Sequence, residues 1–147
     1  MSAAAAVAPR TPTTVQVAAL AGTVVIGSTL GLWAYVWPVG FFERFPIVLG
    51  EWISRDGPFN EHLVRDHGAM YLALAAAGLY GLVQRGGAVM RALGVVWTVF
   101  GILHVAYHVS HLAHLSAVEA TGQLTALVVA LTLGVILLLP GREPRTV

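Results

Sequence analysis

Residues 15–36 read VQVAALAGTVVIGSTLGLWAYV, an apolar run without a single Asp, Glu, Lys or Arg. A helix needs about 20 such residues to cross the hydrocarbon core of a bilayer. This one stretch therefore directs the reading of the chain toward a membrane protein. Trp33, Tyr35 and Trp37 close the run as an aromatic belt suited to a membrane interface, and Pro38 marks the end of the helix.

Working outward, the same pattern recurs over residues 61–83, 89–115 and 120–139. The whole chain agrees: of 147 residues 57% are hydrophobic and 10% charged, with mean hydropathy +0.78, where soluble domains carry about a quarter charged residues. The fold class expected is all-α: an integral membrane four-helix bundle over residues 15–139, one domain without internal repeats. Residues 1–14, small and polar with Pro9 and Pro12, read as a disordered tail, and residues 140–147 as a short C-terminal tail. The N-terminus lacks the charged region of a signal peptide, so the first span is read as retained. Residues 38–60 are too short and polar to span. They alternate aromatic and charged side chains and read as an interfacial segment lying over the bundle mouth between the first two helices.

Charge placement gives orientation and narrows the function classes. Arg85 and Arg91 lie between the second and third segments, and Arg10, Arg142 and Arg145 flank the ends. Arg44 and Arg55 lie in the 38–60 connection. The positive-inside rule then puts both termini in the cytoplasm of a bacterial plasma membrane. A net charge of +1 with no basic block excludes nucleic acid as a partner. The bilayer and a lipophilic small molecule are the partners expected, with a homo-oligomer or other membrane subunits left open. The absence of cysteine excludes disulfides, thiolate metal sites, iron–sulfur clusters and thiol nucleophiles. Any metal must use imidazole, carboxylate or water.

Two clusters of ionisable residues stand inside the apolar pattern. In GPFNEHLVRDHGAMYLAL, residues 57–74, Asn60 is a helix N-cap and Glu61 suits the positive end of the helix dipole. At about 100° per residue, His62 and Asp66 share one face, which Ala69 and Ala73 continue. Glu61 and Arg65 pair on its flank, and His67 points elsewhere, as a structural or interfacial residue. In ILHVAYHVSHLAHL, residues 102–115, His104, His108 and His111 fall within about 60° of arc on a helix, flanked by Tyr107, with His114 at the edge. Trp97 lies deeper on the same face, as pocket floor or core packing.

The two faces converge if the short loop QRGGAVMR makes the second and third segments antiparallel neighbours. A pivot at Gly86 sets His62 opposite Ser110 and Asp66 opposite Ala106, level with the three histidines. His62, Asp66, His104, His108 and His111 then form a nitrogen and oxygen ligand set suited to iron, copper or zinc, as one ion or two. Two histidines with a carboxylate match an oxygen-using iron site. Glu61 is an acid–base candidate, Arg65 would orient it or hold an anionic group, and Tyr107 is a redox or acid–base partner. A proton relay or a structural polar network uses the same residues. Bis-histidine haem is a further alternative, pairing His62 with His104 or His108, although Asp66 has no use there. The expected function is a metal-dependent oxidoreductase acting on a lipophilic substrate. A haem-binding or quinone-linked electron-transfer subunit and a non-catalytic or metal-handling subunit are the alternatives.

The block from Gly57 to Gly68 and the later His104, His108 and His111 resemble a group of small actinobacterial four-helix membrane proteins. That group carries G-P-(F/Y)-N-E-H-L-V-R-D-x-G and H-x3-H-x2-H and is similar in size and topology to DoxX-like membrane proteins. The resemblance covers about half the chain. It implies the four-helix fold and a site on those residues, without a particular activity. His67 stands where the group has an apolar residue, which sets it apart from the shared ligands.

Overall fold

The structure is a computed structural model that describes residues 10–49 and 51–143. Arg145, and residues 1–9 and 144–147 of the two expected tails, lie outside the described residues. Within them the chain is all-helical, in five helices: α1 (Thr14–Val36), α2 (Pro38–Arg44), α3 (Glu61–Gln84), α4 (Gly87–Val109) and α5 (Ala117–Leu138). The last residues assigned to the N-terminal tail are ordered. The Thr11 amide donates to the Arg142 carbonyl at 3.1 Å, Arg142 returns the bond at 2.7 Å, and Arg10 pairs with Glu143 at 3.0 Å.

The helix starts follow from their caps. Thr13 and Gln16 form a reciprocal capping box at α1, Asn60 accepts from the Leu63 amide at α3, and Ser116 and Glu119 form a second box at α5. Helices α1, α4 and α5 are long and apolar enough to cross a membrane. Helix α3 is as long, but it opens on Glu61, His62, Arg65, Asp66 and His67 and is not among them. The described residues of 38–60, here called the strap, hold the short α2, a series of turns and an isolated bridge between Pro46 and Glu51.

Packing departs from the expected hairpin. The four long helices form two antiparallel pairs, α1 with α3 and α4 with α5. Glycines decide this. A Cβ on Gly31 would stand 2.9 Å from the Leu72 nitrogen and 3.0 Å from the Gly68 carbonyl oxygen. One on Gly134 would stand 2.9 Å from the Thr98 nitrogen, and one on Gly101 3.1 Å from the Leu131 Cα. Only glycine admits backbones this close, and such contact is how apolar helices associate without a hydrophobic driving force. Helices α3 and α4, joined in sequence, approach closely beside their connection, where Gly81 meets Leu93 and Val89, and farther along only through large side chains such as Tyr71 and Phe100. Ala69 and Ala73, expected to face a neighbour, are exposed. Gly68, Ala75 and Gly78 form the buried edge instead.

The pairs close on each other at the end bearing the α3–α4 connection. There Ala19, Leu20, Met90, Leu93 and Leu137 form a buried cluster. The Gln16 amide donates to the carbonyls of Leu137 at 3.3 Å and Leu139 at 2.8 Å, satisfying acceptors that the end of α5 leaves free. At the opposite end the pairs diverge. Ala34, Phe41 and Val64 anchor the strap there, with Trp33, Phe45 and Ile53 packed around them.

Candidate functional site

The divergence of the two pairs leaves a cavity of about 720 Å³, within the range of small-molecule sites. Helix α1 lines it with Val25, Ile26, Thr29 and Leu30, α5 with Ala126, Leu127, Val129 and Ala130, and the strap with Phe45, Trp52, Ile53 and Asp56. Its walls are mostly apolar. The polar side chains are concentrated where α3 and α4 approach it: His67 and Tyr71 from one, His104, Tyr107 and His108 from the other, with Gln123 of α5 beside them.

These side chains form a file. The Tyr71 and His67 rings are 4.8 Å apart between centres, on one face of α3 at i,i+4. His67 reaches across to His104 at 6.4 Å. His104 and His108, again i,i+4, are 4.8 Å apart. Phe100 packs on His104 at 5.0 Å and on Tyr71 at 5.6 Å, and Trp97 floors the arrangement at 6.2 Å from Tyr71. The file runs from the strap toward the middle of the molecule. It can present imidazole nitrogens to a ligand or an ion, or pass protons between neighbours.

The structure brings together some of the residues singled out in the sequence and separates others. His104 and His108 line the cavity as a pair. His62 and Asp66 contact each other, Nε2 to Oδ2 at 3.3 Å, but their side chains are 86% and 63% exposed and neither lines the cavity. The reason is the pairing of α3 with α1, which turns the His62–Asp66 face outward. His111 is not the third member of a helical stripe. Helix α4 stops at Val109, where the Ser110 hydroxyl donates to the Tyr107 carbonyl at 2.7 Å. The His111 ring then stacks on Tyr107 at 4.2 Å, with Nδ1 2.8 Å from the Tyr107 carbonyl oxygen. Tyr107 is half-exposed at the cavity rim.

Glu61 and Arg65 pair at 2.8 Å, and Arg65 also donates to the Tyr35 carbonyl and lies over the Tyr35 ring. That holds α3 to α1 and leaves Arg65 away from the histidines. His114 pairs with Asp56 of the strap at 3.4 Å. Among the described residues no group of three His, Asp or Glu is placed to hold a metal ion.

Three participants escaped the sequence reading. His67, assigned a structural part, sits in the middle of the file. Asp56 is the acidic residue of the cavity lining. Gln123 is a lone amide in the largely apolar α5, and that isolation is its sequence signal. The chain matches no family model, no curated protein and no solved structure. The reading of the site therefore rests on its own geometry.

Proposed function

We propose that the protein is an integral membrane protein that binds a lipophilic small molecule between its two helix pairs, with imidazoles at the polar edge of the site. In this reading all four long helices cross the bilayer as one bundle and both termini are cytoplasmic. The outward-facing Leu32, Leu79, Val83, Leu103 and Val118 support lipid contact, since soluble monomers rarely expose so much apolar surface. The observation that carries the functional reading is the cavity itself: about 720 Å³, mostly apolar, with His67, His104 and His108 gathered on one side.

We further propose that this edge holds a transition metal, iron, copper or zinc, used in redox chemistry on the bound molecule. His104 and His108 at i,i+4 fit one ion, and two imidazoles leave coordination positions for substrate, water or His67. The ligand set proposed is thus narrower than the five residues singled out in the sequence. Bis-histidine haem is the second reading. It is favoured by His67 and His104, which come from different helices with ring centres 6.4 Å apart.

One preparation separates these readings. Protein purified in lipid nanodiscs is examined by elemental analysis, visible spectroscopy and mass spectrometry of its solvent extract, beside His104→Ala and His108→Ala. A stoichiometric metal lost in both variants supports the metal site, and a Soret band lost in His104→Ala supports haem. An extract with no lipophile beyond the nanodisc lipids, from a preparation with neither metal nor haem, defeats the proposal.

A further inference from the structure

The inference rests on the proposed lipophile site, taken without a metal ion on His108, and concerns the chemistry of the molecule it takes. Gln123 is 5% exposed, lines the cavity and faces the His108 imidazole. Among the described residues its hydrogen-bond partner is that imidazole. Gln16 provides the contrast: equally buried, it has both a capping bond and two carbonyl partners.

An amide side chain offers two donors and an acceptor. His108 can satisfy one of them at most, so at least one donor is directed at cavity space. A buried polar group without a partner is costly, and burial in an apolar helix facing a pocket implies a partner supplied by what fills the pocket. The polar side chains that α3 and α4 contribute to the lining beside Gln123 are His67, Tyr71, His104, Tyr107 and His108. No arginine lines the cavity to accept an anion, and the carboxylate of its lining, Asp56 of the strap, already has a partner in His114.

We infer that Gln123, with His108, recognises a neutral oxygen on the lipophile, a carbonyl or hydroxyl, and so determines the specificity of the site. The Gln123 amide donates to that oxygen, and the His108 imidazole donates or accepts according to which nitrogen carries the proton. Apolar walls take the hydrocarbon part. The ligand class is a neutral oxygen-bearing lipophile, as distinct from a fatty acid or a cationic amphiphile.

The test uses four bromine-labelled chains of equal length in nanodiscs: an alkane, a methyl ketone, a carboxylate and a trimethylammonium. Binding is read by quenching of tryptophan fluorescence, and Trp52→Phe identifies the cavity component because Trp52 lines the site. The ketone is expected to bind wild-type protein about tenfold more tightly than the alkane, the scale of one neutral hydrogen bond. Gln123→Leu abolishes that preference and leaves alkane binding within about twofold, which also shows the variant folded; His108→Phe reduces the preference independently. Equal ketone preference in wild type and Gln123→Leu overturns the inference, as does a charged chain binding as tightly as the ketone. Alkane binding without ketone preference overturns this inference alone. Failure of all four chains to bind overturns the lipophile site as well.

Discussion

Gly68 of α3 lies so close to Tyr35 of α1 that a Cβ built on it would stand 2.6 Å from the Tyr35 backbone nitrogen. The contact faces backbone, which has no rotamer to yield. It fixes the α1–α3 pair at the open end, beside the Arg65 bond to the Tyr35 carbonyl. It thereby sets which side of α3 looks into the cavity.

Gly68→Val is accordingly expected to destabilise the protein by about 1–3 kcal/mol through overpacking. Ala69→Val, one residue along on the exposed side, should stay within about 0.5 kcal/mol of wild type. Unfolding in detergent followed by circular dichroism compares the two. Equal effects would mean that the α1–α3 contact is not the tight one.

The same pairing separates two histidine roles. His62→Ala and Asp66→Ala remove an exposed pair, and such pairs contribute about 0–1 kcal/mol. Both variants are expected to keep wild-type stability and wild-type metal or haem content. His104→Ala and His108→Ala are expected to lose that content. Elemental analysis of the four variants side by side decides it, and loss on His62→Ala would restore that residue to the site.

The helices were legible because their signals are local. Apolar length marked α1, α4 and α5, Asn60 marked the start of α3, and Pro38 marked the end of α1. His104 and His108 were legible as a cavity pair because four residues on one helix need no tertiary knowledge. His62, Asp66 and His111 were misplaced because each depended on something nonlocal. A short loop joins α3 to α4 without making them the closest partners, because Gly31, Gly68, Gly101 and Gly134 favour other pairings through backbone contact. His111 depended on α4 continuing past Ser110, whose hydroxyl instead caps the last turn at the Tyr107 carbonyl. His67 faces the cavity because α3 is rotated by its glycine edge, a rotation that Gly68 and Gly78 could have suggested. Gln123 carried a signal that went unread, an amide within an apolar segment, and its burial emerges only in the fold.

At the closed end, Gln16 links the start of α1 to the end of α5 through the Leu137 and Leu139 carbonyls. Gln16→Leu keeps the volume, removes the capping-box partner of the Thr13 amide and leaves both carbonyls short of a donor. A loss of about 1–3 kcal/mol is expected. Hydrogen exchange should rise at residues 13–17 and 137–142 together, since Thr11 and Arg142 share the same junction. Exchange confined to α1 would show that the two ends are not coupled.

At the open end, Glu119 joins two elements. One carboxylate oxygen accepts from the Ser116 amide at 2.8 Å, completing the α5 cap, and the other accepts from Arg55 of the strap at 3.0 Å. Arg55 also donates to the His114 carbonyl at 3.5 Å, Asp56 pairs with His114, and Trp52 is buried beneath. Glu119→Gln preserves an acceptor for the cap and removes the charge that holds Arg55. Global stability should be little changed, while exchange at residues 51–59 rises and the start of α5 stays protected. Glu119→Ala also removes the carboxylate half of the capping box, leaving only the Ser116 side-chain bond, and frays residues 117–120. Hydrogen-exchange mass spectrometry resolves the two regions. Unchanged exchange at 51–59 in Glu119→Gln would assign the strap's anchoring to Trp52 and Asp56 in place of the Arg55 ion pair.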